Sequence, residues 1–172
     1  QEEELHVAIL LDASNSLLFE GKLDMGRRVA AALGLVGLHG SEKVSAAILG
    51  SAETQRMVPA RGRFSAQKVF AFFESINTGG ELPIDRGIEL FLRRHSGRGA
   101  AIVISDFLTD GNLRRAFNLL HSSRLEIFAL QILYPTEISP EIAGDLRLID
   151  SETSGSLDIT SARDLFDLYN EY

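Results

Sequence analysis

The chain has no cysteine, which excludes disulfides, thiolate catalysis and cysteine-based zinc sites. It also lacks a long hydrophobic run. Its longest apolar stretch, Val29 to Leu38, is broken by two glycines and falls well short of the roughly 20 residues that span a bilayer. No secretory signal pattern is visible. Positive charge is scarce: 17 Lys and Arg stand against 24 Asp and Glu, a net charge of −7. Backbone-driven nucleic-acid binding needs a basic footprint, so nucleic acid is not an expected partner.

Catalytic signatures are missing as well. Ser14 and Ser16 lie outside any Gly-x-Ser-x-Gly elbow, so a hydrolase is poorly supported. Thr78-Gly79-Gly80 has no Walker lysine and reads as a tight turn. His6, His39, His95 and His121 are scattered without metal-ligand spacing. Arg61 with Arg63, and Arg93, Arg94 and Arg98, read as exposed charged faces. The segment from Glu137 to Tyr172 carries nine Asp or Glu against two Arg and reads as solvated surface. The opening Gln1-Glu2-Glu3-Glu4 reads as the start of an excised or processed piece. A cytoplasmic domain is expected, without membrane contact of its own, in a parent chain that has room for a membrane anchor.

A chain of 172 residues, 45% of them hydrophobic, fits one globular domain with a good core. Strand-like and helix-like segments alternate, the pattern of a parallel sheet covered on both faces. Strands are expected over 5–11, 44–49, 54–58 (an antiparallel edge), 100–105, 125–133 and 146–149. Helices are expected over 22–38, after a capping Ser65, over 83–94, around Leu113–Leu120 and around Ala162–Tyr169. Gly26, Gly34 and Gly37 suit close packing of the first helix on the sheet.

The informative stretch is Asp12-Ala13-Ser14-Asn15-Ser16. It follows the buried-strand pattern Val7 to Leu11, so one carboxylate and two hydroxyls stand where a strand gives way to a loop. Ligands of open α/β sheets bind at that edge, and hard oxygens suit a small hard cation. The strand Ala100 to Ser105 delivers a second acid, Asp106.

Asp12-x-Ser14-x-Ser16 resembles the metal-ion-dependent adhesion site of von Willebrand factor A (vWA) domains. Ile104-Ser105-Asp106-Phe107, Leu133-Tyr134-Pro135-Thr136-Glu137 and Leu148-Ile149-Asp150-Ser151-Glu152-Thr153 resemble later signatures of a bacterial vWA-like domain-of-unknown-function family. That family is often encoded beside MoxR-type AAA+ ATPases. The resemblance implies a vWA-like Rossmann variant, a mostly parallel sheet of about six strands with one antiparallel edge and helices on both faces. It implies Ser14 and Ser16 as direct ligands of Mg²⁺ or Mn²⁺, with Asp12 and Asp106 holding the ion through water. The usual threonine ligand has no exact counterpart in Asn77-Thr78-Gly79-Gly80-Glu81-Leu82-Pro83, which leaves Thr78 or Glu81 as the further donor and weak binding as the expectation.

The function implied is non-enzymatic protein recognition with a degenerate metal site, in assembly or maturation with a MoxR-type ATPase. The competing reading is a Mg²⁺-dependent phosphoryl-transfer enzyme centred on Asp12. Against it, phosphotransferases of the haloacid dehalogenase type place a second acid two residues after the first, where this chain has Ser14.

Overall fold

The computed structural model describes residues 5–40, 42–51, 55–76, 79–138, 146–149 and 156–159. The chain divides into two compact units, Gln1–Ile132 and Leu133–Tyr172. The first unit holds a five-stranded sheet in the order β3-β2-β1-β4-β5. Its strands are β1 (His6–Asp12), β2 (Lys43–Leu49), β3 (Arg56–Ala60), β4 (Gly99–Ser105) and β5 (Leu125–Gln131). All neighbours pair in parallel except β3, which runs antiparallel to β2 at the edge.

Strand β1 is central, which explains its almost uninterrupted apolar sequence: both faces are covered. Side chains alternate across the pleat. Ile9 and Leu11 enter one core with Val44, Ala46, Ile48 and Ile104, while Ala8 and Leu10 enter another with Ala47, Leu49, Ala101 and Val103. The first core is closed by α1 (Lys22–His39) and α2 (Ala66–Glu74), through Ala30, Leu38, Val69 and Phe73. The second is closed by α3 (Ile84–Leu92) and α4 (Leu113–Ser122), through Ile84, Ile88, Phe91, Ala116 and Leu120.

Glycines let α1 approach its neighbours. A Cβ on Gly26 would stand 2.9 Å from Leu11, one on Gly34 2.7 Å from Val69, and one on Gly37 2.8 Å from Val44. Asn112 caps α4, its side chain accepting a hydrogen bond from the Arg115 amide at 2.9 Å. Ser65 takes the position before α2 without capping it. Its hydroxyl donates instead to the Arg61 carbonyl at 2.7 Å.

The second unit holds the short helix α5 (Pro135–Ile138) and an antiparallel pair, β6 (Leu146–Ile149) with β7 (Ser156–Ile159). Strand β6 covers the residues the sequence predicts but pairs with β7 in a sheet of its own, so the main sheet has five strands where about six were expected. Strand β7 is additional; Ser-Leu-Asp-Ile offers only four residues of alternation. The helix expected around Ala162–Tyr169 lies outside the described residues. Among the described residues, no helix is long and apolar enough to cross a membrane.

Candidate functional site

Strand order fixes where the site forms. From β1 the chain moves to β2 on one side, and β4 later docks on the other. The reversal sets the carboxyl ends of β1 and β4 side by side, the usual ligand position in an open α/β sheet. Asp12 ends β1 and Asp106 follows β4. Their carboxylates therefore share one edge of the sheet, as the two strand-terminal acids predict.

A continuous chain of hydrogen bonds joins them. The Ser14 amide donates to Asp12 Oδ1 at 2.8 Å, and Ser105 Oγ donates to Asp12 Oδ2 at 2.5 Å. Ser16 Oγ donates to Asp106 Oδ1 at 3.2 Å, and Ser14 Oγ lies 3.0 Å from Ser16 Oγ. A hydroxyl has one proton and an ionised carboxylate only accepts. Ser16 directs its proton to Asp106 Oδ1, and its oxygen stays within reach of Ser14 Oγ. The Leu108 amide also donates to Asp106 Oδ1, at 3.1 Å. Burial pushes the Asp12 carboxyl above its ordinary value, opposed by hydrogen bonds from Ser105 and Ser14, with the Asp106 charge adding to the rise.

The loops that carry these groups are clamped together. Gly50, at φ +90°, turns the end of β2 under the Asp12 loop; a Cβ there would stand 2.8 Å from the Ser14 amide nitrogen. The Asn15 amide donates to the Gly80 carbonyl at 3.2 Å, and the Leu82 amide to the Gly50 carbonyl at 3.0 Å. Gln131 Nε2 donates to the Asp106 carbonyl at 3.1 Å.

The structure brings Asp12, Ser14, Ser16 and Asp106 together and buries all four. Glu81 is exposed, and Thr78 lies outside the described residues. Sequence reasoning missed Lys22. Its ammonium lies 2.8 Å from Asp106 Oδ2, with side-chain exposures of 2% for Lys22 and 0% for Asp106. The turn before it explains how it arrives there. Glu20 (φ +48°) and Gly21 (φ +80°) are both left-handed, and they swing the start of α1 toward the Asp106 loop. A usable signal was present: a lysine opening a helix opposes the positive end of the helix dipole, and such local conflicts mark sites with another purpose. Ser105 was also missed as a participant, although it lies in the Ile104-Ser105-Asp106 motif.

Mg²⁺ takes a near-octahedral shell of six oxygens. Here each carboxylate oxygen of Asp12 and Asp106 already accepts a hydrogen bond, and Asp106 has a cation of its own. This donor set, as arranged, does not fit a divalent ion. Around the buried centre stand apolar side chains: Leu18 at 50% exposure and Phe19 at 49% follow Ser16, and Leu108 at 52% follows Asp106.

Comparison with known proteins identifies the family and the fold. The family described as "Protein of unknown function DUF58" matches residues 1–170. An uncharacterized protein of Mycobacterium tuberculosis and one of Mycobacterium bovis are each 31% identical over 163 residues, covering 88% of this chain and 50% of theirs. The chain thus spans about half the length of the curated relatives it matches. An aerotolerance-related membrane protein of Bacteroides fragilis is similar in structure, with a TM-score of 0.61 and 21% identity, over 97% of this chain and 87% of that one. Proximal thread matrix protein 1 of the mussel byssus is similar at a TM-score of 0.58 and 11% identity, over 74% of this chain and 37% of that one. The fold is the vWA-like α/β fold that the sequence motifs predict.

Proposed function

We propose, from the premise that this chain belongs to the DUF58 family, that it is a non-enzymatic protein-recognition domain whose contact face is the carboxyl edge of the sheet. One observation carries the reading. The loops after β1 and β4 converge there on a buried polar centre and leave Leu18, Phe19 and Leu108 exposed around it. Exposed apolar side chains grouped on one face commonly mark a protein contact surface. Loops at strand ends vary freely while the packed sheet fixes their position.

The partner we assign, from the sequence resemblance, is a MoxR-type AAA+ ATPase, in assembly or maturation. One structural neighbour is described as a membrane protein. We extend that placement to the parent of this chain, with the anchor outside this domain. Phosphoryl transfer centred on Asp12 draws little support. A nucleophilic carboxylate must face its substrate, whereas Asp12 is 3% exposed and both its oxygens accept hydrogen bonds.

Capture of a purified MoxR-type ATPase from the same organism tests the reading. Leu18→Ser with Leu108→Ser should abolish capture and leave thermal stability nearly unchanged, because both side chains are largely exposed. Unchanged capture by that variant would rule out this face. Turnover of a phosphatase substrate that disappears in Asp12→Asn would replace recognition with catalysis.

A further inference from the structure

We infer that the Lys22 ammonium is the resident cation of this site and takes the place of the divalent ion implied by the Asp12-x-Ser14-x-Ser16 pattern. The buried centre at this sheet edge is therefore a metal-free ion pair whose cation and anion both belong to the chain.

Four observations carry the inference. First, both partners are removed from water, at 2% and 0% exposure, with 2.8 Å between Nζ and Oδ2. A lysine is almost never this buried unless paired, and an unpaired charge there would be strongly disfavoured. Second, the helix start gives no local reason for a lysine, since its backbone presents positive charge. The reason is tertiary and is Asp106. Third, the Phe19 ring stands 5.8 Å from Nζ, close enough for its face to favour a cation. Fourth, Asp106 Oδ1 accepts from Ser16 Oγ and the Leu108 amide, and Lys22 donates to the other oxygen.

A doubly charged ion entering beside this ammonium would meet like charge in a medium of low dielectric constant, where repulsion is strong. It would also have to break hydrogen bonds at Asp106 to gain a carboxylate. A tethered cation has the opposite character. It cannot dissociate, it does not depend on the metal content of the compartment, and it offers no open coordination position to an acid on a partner. The inference rests on this geometry. Only its consequence for recognition, that partner contact is independent of divalent ions and falls to the apolar residues around the site, rests on the function proposed above.

The test uses the purified chain with MgCl2 and MnCl2 as the only probes. Wild type should show the same melting temperature in EDTA and in excess MgCl2, and manganese electron paramagnetic resonance should detect no bound ion. Lys22→Met leaves Asp106 buried without its counter-charge and should lower the melting temperature by roughly 10 °C. Added Mg²⁺ should recover part of that loss, because the carboxylate again lacks a cation. Lys22→Met with Asp106→Asn removes both charges. It should melt above the single variant and ignore Mg²⁺, and it decides the matter if the single variant does not fold. The inference is overturned if wild type binds Mn²⁺ and loses it on Ser14→Ala with Ser16→Ala. It is overturned equally if the double variant is no more stable than Lys22→Met. These readings stand whether or not a partner is captured, so they fail separately from the recognition proposal.

Discussion

Gly80 packs directly against the carbonyl oxygen of Gly50, so closely that a Cβ at position 80 would overlap that oxygen. The contact joins the loop before α3 to the turn after β2, and the Asn15 amide closes the triangle by donating to Gly80. Gly80→Ala should therefore cost about 2 kcal/mol or more, since backbone rather than a flexible side chain must move. Gly21→Ala is the control. Nothing lies within 4 Å of its Cβ position, but its φ of +80° is left-handed, which costs an L-residue roughly 1–2 kcal/mol. Denaturant melts of the two variants check the ranking. A Gly80→Ala protein as stable as wild type would mean that the loop is not clamped as described.

His6 sets a pH dependence at the opposite end of β1. Its Nε2 accepts from Ser45 Oγ at 2.8 Å, Nδ1 faces the Ser96 carbonyl at 3.4 Å, and the His95 ring lies 4.7 Å away. Burial foremost, then the charges of His95, Lys43 and Arg61, lower its pKa from 6.5 to about 4, against a smaller opposing effect of the Ser96 hydrogen bond. Between those values the unfolded chain binds the proton and the folded chain does not. Stability should therefore fall as pH drops from 6.5 towards 4. His6→Gln should flatten that slope. His95, also lowered chiefly by burial, accounts for what remains. Urea melts across this range check the sign; a stability that rises on acidification through it would contradict the account.

Ser105 is the hinge between the two acids. Its hydroxyl donates to Asp12 Oδ2 while accepting from the Phe107 amide at 2.9 Å. Ser105→Ala leaves both partners short of a bond in a buried setting, at a cost of about 1–3 kcal/mol. The Asp12 carboxyl, already raised by burial, should rise further because its principal opposing hydrogen bond is gone. For an acid raised in the folded state the charged form costs stability, so the penalty should be largest at neutral pH and shrink on acidification through its folded value. Carbon NMR titration of the aspartates, alongside thermal melts, reads both effects. An Asp12 that titrates as in wild type would sink the prediction.

The two acids were legible in the sequence because each follows an apolar strand, and strand ends are where a parallel sheet presents polar groups. The packing glycines of α1 were legible because they fall among alanines and leucines on a helical segment. Lys22 was not. Its role depends on two left-handed residues, Glu20 and Gly21, and on Asp106 arriving from far along the chain. Neither is expressed in local periodicity. Ser65 shows the reverse failure: a good capping residue in the capping position, whose hydroxyl is drawn backwards by the Arg61 carbonyl. Mg²⁺ was the natural expectation for hydroxyls beside carboxylates. Pattern alone does not register a lysine that reaches the same acid from the start of a helix.

The partners that build this site are widely separated along the chain, by 84 residues for Lys22 with Asp106 and 90 for Ser16 with Asp106. Strand β1 gains its β4 neighbour only after β2, β3 and three helices have been made. Closing loops of that length costs entropy before contacts reward it, and folds rich in such pairings form slowly. During synthesis, a chain ending before residue 106 has Lys22 but not yet the Asp106 carboxylate that it meets in the folded domain. The ion pair can form only once Asp106 has been made, after every strand of the main sheet but β5.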